Sequence, residues 1–191
     1  RFNWNFPIAF SKHDSSKLYT YSNHVHLSND EGHSWETISP DLTRNDKSKL
    51  VSSGGPITQD NTGVEYYATI FAVDESPIQE GLIWVGSDDG LIHLTKDGGA
   101  TWENVTPKKM PDWMMINSVD ASSFDSGTAY IAGTRYKLGD FTPYLYVTDD
   151  YGKNWKLITD GIEDEHFTRV LRSDKSDKKI LYAGTETGMY I

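Results

Sequence analysis

The sequence predicts an all-β fold: a β-propeller of four-stranded antiparallel blades, present as a partial ring of about three and a half blades. Three observations predict it. An eight-residue box recurs three times, similar apolar strands and polar turns surround each copy, and Gly, Asn, Asp, Ser and Pro cluster between short apolar runs. Hydrophobic residues make up 37% of the chain and aromatics 13%, enough to build a packed core.

The boxes are Ser28-Asn29-Asp30-Glu31-Gly32-His33-Ser34-Trp35, Thr95-Lys96-Asp97-Gly98-Gly99-Ala100-Thr101-Trp102 and Thr148-Asp149-Asp150-Tyr151-Gly152-Lys153-Asn154-Trp155. A hairpin turn explains the pattern. The side chain of Asp30, Asp97 or Asp150 can accept from backbone N–H groups just ahead of it, closing the turn. Gly32, Gly99 and Gly152 supply positive φ, and Trp35, Trp102 and Trp155 open the next strand and bury a large ring. Ser28, Thr95 and Thr148 complete this structural set. Asn154 stands where the other boxes have Ser or Thr, and it can still bond locally.

Each box is preceded by three strands and followed by a fourth. The expected strands run 5–10, 17–21 and 25–28 in the first repeat, 66–73, 82–86, 91–95 and 101–105 in the second, and 116–121, 128–133 and 144–148 in the third. Residues 1–191 thus read as a single partial propeller. Blade 1 covers about 5–38, a connecting loop 39–65, blade 2 about 66–106, blade 3 about 116–158, and an incomplete blade 4 about 166–191.

The boxes resemble the Asp boxes (BNR repeats) of bacterial sialidases, sortilin-type receptor ectodomains and propeller glycoside hydrolases acting on xyloglucan. The surrounding segments 1–8, Ile38-Ser39-Pro40-Asp41-Leu42-Thr43, Gly54-Gly55-Pro56-Ile57-Thr58 and Arg135-Tyr136-Lys137 are similar to a bacterial sortilin-like family, often labelled glycosyl hydrolases. The resemblance implies an extracellular or cell-envelope protein of one or two propellers, of which this chain is a section. It implies boxes that are structural rather than catalytic. Closing the ring is expected to need the remaining blades of the parent chain or a second copy.

A net charge of −10 and the lack of any basic run argue against nucleic acid, and no apolar stretch suits direct membrane insertion. Cysteine is absent, so there is no disulfide or Cys-metal scaffold. His24-Val25-His26 has two-ligand spacing, but His26 aligns with His93 and Tyr146, which points to packing. No metal and no cofactor are expected.

Function is expected on the face that carries the second-to-third turns and the blade connections, opposite the boxes. Trp113, Arg135, Tyr136, His24 and Arg44 are the candidate ligand-binding residues there, for a glycan or a protein. The alternative is a glycoside hydrolase, xyloglucanase- or sialidase-like, with part of its site on other blades. Glu65, Asp88 and Asp140 are its candidate carboxylates, while Arg44, Arg135 and Arg169 would suit a sialidase-like grip on a carboxylate. In a chain with 28 acidic residues, solvated loop carboxylates are the simpler reading of the acidic candidates.

Overall fold

The computed structural model describes residues 1–191 and contains four antiparallel sheets. The first has β1 (Ile8–Phe10), β2 (Leu18–Tyr21), β3 (Val25–Ser28) and β4 (Glu36–Thr37). The second has β5 (Ile70–Glu75), β6 (Ile83–Ser87), β7 (Ile92–Thr95) and β8 (Glu103–Asn104). The third has β9 (Met115–Ala121), β10 (Ala129–Arg135), β11 (Asp140–Thr148) and β12 (Lys156–Leu157), and the fourth has β13 (Thr168–Ser173), β14 (Leu181–Thr185) and β15 (Met189–Tyr190). Strands follow chain order in every sheet, as in propeller blades, and the four sheets form a partial ring.

Three strands start three or more residues from the expected position. β1 starts after Pro7, which has no N–H to give a ladder, rather than at residue 5. β5 starts at Ile70 rather than Tyr66, because Ala68 takes a left-handed φ of 60° that breaks extended backbone. β11 starts at Asp140 rather than Tyr144. Residues 140–143 therefore belong to a long hairpin, with Pro143 tolerated beside the register shift between Gly133 and Arg135.

Blades stack through side chains that alternate along their strands. Ile83 and Val85 of β6 join Tyr19, Tyr21 and Val25 in the seam with blade 1, while Trp84 faces Ile116, Val119 and Ile131 of blade 3. Tyr130 and Ala132 of β10 turn the other way, onto Leu171 and Ala183 of blade 4. Burial on both faces makes β6 buried at every position. The inner strands are tied across blades by side chains that satisfy backbone donors: Asp74 accepts from Ala121 N at 2.9 Å, and Ser118 and Asp120 accept from Leu171 N and Ser173 N at 3.0 and 2.9 Å.

The box turns share one geometry. In the first, Asp30 Oδ1 accepts from Ser34 N and from Ser28 Oγ, each at 2.8 Å, and Ser28 Oγ accepts from Gly32 N at 2.8 Å. The second box repeats these bonds, and in the third Asn154 Nδ2 donates to Asp150 Oδ2 at 2.7 Å where Ser34 and Thr101 use hydroxyls. Residues Glu31, Gly98 and Tyr151, just before the box glycine, are also left-handed. No helix of the chain is long and apolar enough to cross a membrane.

Candidate functional site

Antiparallel order puts the three box turns at the same end of the first three sheets. At the other end lie the second-to-third turns and the connections between blades. A cleft of about 710 Å³ opens at this second end, and residues from all four repeats line it.

The floor is built by one device used three times. Each of β5, β9 and β13 slips register against its neighbour near the cleft. The pairings jump from Ile70 to Ala72, from Ile116 to Ser118 and from Thr168 to Val170, so Phe71, Asn117 and Arg169 are the extra residues. Bulges re-aim side chains in this way, and all three of these line the cleft. Phe71 and Asn117 do not stand out in the sequence by residue type or loop position. A signal was present: they and Arg169 occupy one aligned position, directly after Ile70, Ile116 and Thr168.

Part of the wall comes from the ends of β6 and β10, and every second strand ends in an aligned hydroxyl that follows Tyr21, Gly86, Gly133 or Gly184. Ser22 Oγ caps its own turn by accepting from His24 N at 3.0 Å, Ser87 Oγ accepts from Leu91 N at 2.8 Å, and Thr185 Oγ1 accepts from Gly188 N at 3.1 Å. Blade 3 differs. A 3-10 turn (Tyr136–Leu138) and the long hairpin replace the tight turn, so Thr134 Oγ1 has no hydrogen-bond partner although the residue is only 1% exposed. Asn117 Oδ1, on the adjacent strand, is likewise buried without a partner.

Of the residues singled out from the sequence, Glu65, Asp88, Trp113, Arg135, Tyr136 and Arg169 line this cleft. His24, Arg44 and Asp140 do not. His24 Nδ1 meets Ser39 O at 3.2 Å, beside blade 1. Arg44 sits behind Trp113, with Cζ 4.9 Å from that ring, and is held by Asp89 and by Asp112 at 2.8 Å. Asp140 lies under Arg135 and accepts from Nη1 at 2.6 Å and from Tyr144 Oη at 2.9 Å.

The aromatic residues divide into occupied and open. Lys49 and Arg44 both approach Trp113, whose φ is 62°, and Tyr67 packs 6.5 Å away. Tyr136 stacks on Phe167 at 5.2 Å, with Arg169 Cζ 4.4 Å from its centroid. Trp4 and Tyr66, by contrast, are 64% and 40% exposed. Trp4 is oriented by its indole N–H, which donates to Glu65 at 3.2 Å.

The two cleft carboxylates are both biased toward the acid form. Burial pushes Asp88 up to about 7, opposed by its bonds from Thr69 N and Oγ1 at 2.8 and 3.1 Å. Glu65 is raised by the neighbouring Asp60 carboxyl. Cations dominate the lining: Lys49, Arg135, Lys137 and Arg169 against Glu65 and Asp88.

No protein-family model and no curated protein matches the chain. Solved structures do. An ancestral GH74 enzyme superposes with a TM-score of 0.66 at 16% identity, covering 94% of this chain and 23% of that one. The GH74 xyloglucanase from Xanthomonas campestris gives 0.63 at 16% identity, covering 93% and 26%. YCF48 bound to a D1 peptide gives 0.54 at 18% identity, covering 97% and 50%. The chain thus spans a quarter to a half of these neighbours, and the likeness establishes the β-propeller fold.

Proposed function

We propose that this chain is the ligand-binding section of an Asp-box propeller from a secreted or cell-envelope bacterial protein, and that it holds a glycan or a protein at the cleft face. One observation carries the reading. The box face is closed by self-satisfied turns, whereas the opposite face gathers exposed Trp4 and Tyr66, a guanidinium pair and orphaned Thr134 and Asn117 into one cleft. A peptide-bound propeller among the structural neighbours supports the protein branch, and xyloglucanase neighbours support the glycan branch.

The test is binding of the full chain to a polysaccharide and peptide panel, with Trp4→Ala and Tyr66→Ala as variants. Each lost stacking surface should weaken binding about tenfold, from roughly 1 kcal/mol or more of ring contact. Unchanged affinity in both variants would move the site elsewhere.

Glycoside hydrolysis is the second reading, favoured by two acid-biased carboxylates in one cleft. Asp88 is already committed to Thr69, which suits a structural carboxyl better than a proton donor. Reducing-sugar release that disappears in Asp88→Asn and Glu65→Gln would reverse this order. Release by neither parent nor variant would leave binding as the function.

A further inference from the structure

The blade-3 turn departs from the other three in a way that concerns the ligand's charge. Where blades 1, 2 and 4 place Asn23, Asp88 and Glu186 after the aligned hydroxyl, blade 3 places Arg135. The same change that brings in a cation frees the hydroxyl of Thr134. That Oγ1 is enclosed by protein beside the cleft and left without a partner, which marks how far the blade-3 turn departs from the others.

Arg135 is fixed as a fork. Its Nε donates to Asp112 O at 3.1 Å and its Nη1 to Asp140 at 2.6 Å, while Nη2 has no protein acceptor. Arg169 lines the same cleft from the bulge on β13. It is braced by the Tyr136 and Phe167 rings and by Glu186, whose side chain is half exposed and therefore a weak competitor. On a chain of net charge −10, the cleft holds twice as many cationic as acidic side chains. Fixed guanidinium groups with N–H donors still free recognise carboxylates.

The open rings add a second requirement. Trp4 and Tyr66 offer flat apolar faces, which suit the C–H face of a pyranose. A uronate residue carries that face and a carboxylate on one rigid ring. An acidic peptide carries its carboxylates on flexible stems with no flat apolar face, so it meets only half of the requirement.

We infer that the ligand is an acidic oligosaccharide, with a uronate carboxylate received by Arg135 and Arg169 while a neighbouring sugar stacks on Trp4 or Tyr66. This rests on the glycan branch of the binding function proposed above.

Calorimetry of the full chain against pentagalacturonate, neutral α-1,4-galactopentaose and pentaglutamate tests it. Pentagalacturonate should bind at least about tenfold more tightly than either other probe, because only it offers both ring face and carboxylate. Arg135→Lys keeps the charge but loses the planar guanidinium, and should weaken pentagalacturonate about tenfold; Arg169→Met should do the same with a urea midpoint showing a folded protein. Equal binding of galactopentaose would overturn the carboxylate reading while leaving a saccharide site intact. Preference for pentaglutamate would overturn the saccharide class in favour of a protein ligand. Silence of all three probes overturns the inference. It takes the binding function down as well only if the wider polysaccharide and peptide panel is also silent.

Discussion

The first box and the two that follow it have the same local bonds and different surroundings. Trp102 donates its indole N–H to Ile38 O at 2.9 Å and Trp155 donates to Val105 O at 2.7 Å, in each case the residue just past the outer strand of the preceding blade. Trp35 donates to Gly32 O of its own turn at 3.1 Å and stays 44% exposed. The glycines tell the same story. A Cβ at Gly99 would come within 2.9 Å of Ile38, and one at Gly152 within 2.7 Å of Val105, while one at Gly32 would meet nothing nearer than 3.6 Å. The box is therefore two devices in one peptide: a turn that closes itself, and a Trp–Gly surface that docks onto a neighbouring blade.

Breaking the docking should separate the boxes most. Trp155→Ala is expected to lower stability by about 3 kcal/mol, through lost burial and a stranded Val105 carbonyl, and Trp35→Ala by less than about 1 kcal/mol. Urea midpoints at constant m-value measure the difference. Equal losses would mean that the tryptophans act within their own turns.

A contrast of sign comes next, between the exposed box carboxylates and the buried carboxylate of the cleft. Asp88 is raised to about 7, so the folded state holds a proton that the unfolded chain has released. Its effect is to lower stability as pH rises from the unfolded value near 4 through 7. Asp88→Asn should flatten that slope in urea titrations between pH 4 and 8. A slope unchanged in the variant would assign it to another group.

Gly152→Ala should cost about 2 kcal/mol, combining left-handed strain with the Val105 contact, and Gly32→Ala about 1 kcal/mol from strain alone. The thermal midpoints of the two variants should differ accordingly.

Acid should not separate the boxes. Hydrogen bonds from Ser34 and Thr101 hold Asp30 and Asp97 down to about 2. Their contribution is present above the unfolded value near 4 and is lost as pH falls through 2. Asp30→Asn and Asp97→Asn should each destabilise measurably at pH 7 and much less at pH 2. A box-specific response would show that docking reaches into the turn. Smallest of all, Asn154→Ser should change stability by less than about 0.5 kcal/mol, since amide and hydroxyl satisfy the same Asp oxygen.

Much of the fold was legible. The boxes marked the turns, and the apolar runs before each box marked the three strands that lead into it. The site was legible only in part. Trp113, Arg135 and Tyr136 stood out by residue type and loop position, but Trp113 proved to be clasped by Arg44 and Lys49, while Trp4 and Tyr66 hold the open faces. Phe71 and Asn117 share an aligned position with Arg169, but only the register shifts show that this position turns into the cleft.

The sequence by itself determined whatever is bonded across a few residues: the Asp-to-N–H closures of the boxes, the left-handed glycines and the alternation that sorts each strand between two seams. Tertiary structure alone decided what depends on partners far apart in the chain. The acceptor for Trp102 lies 64 residues away and that for Trp155 lies 50 away. The cleft needs register shifts in three separate sheets, and Thr134 is orphaned only because its own turn has been replaced. Local hydrogen bonds are set by the peptide that contains them, whereas a docking surface or a cleft exists only once blades have stacked.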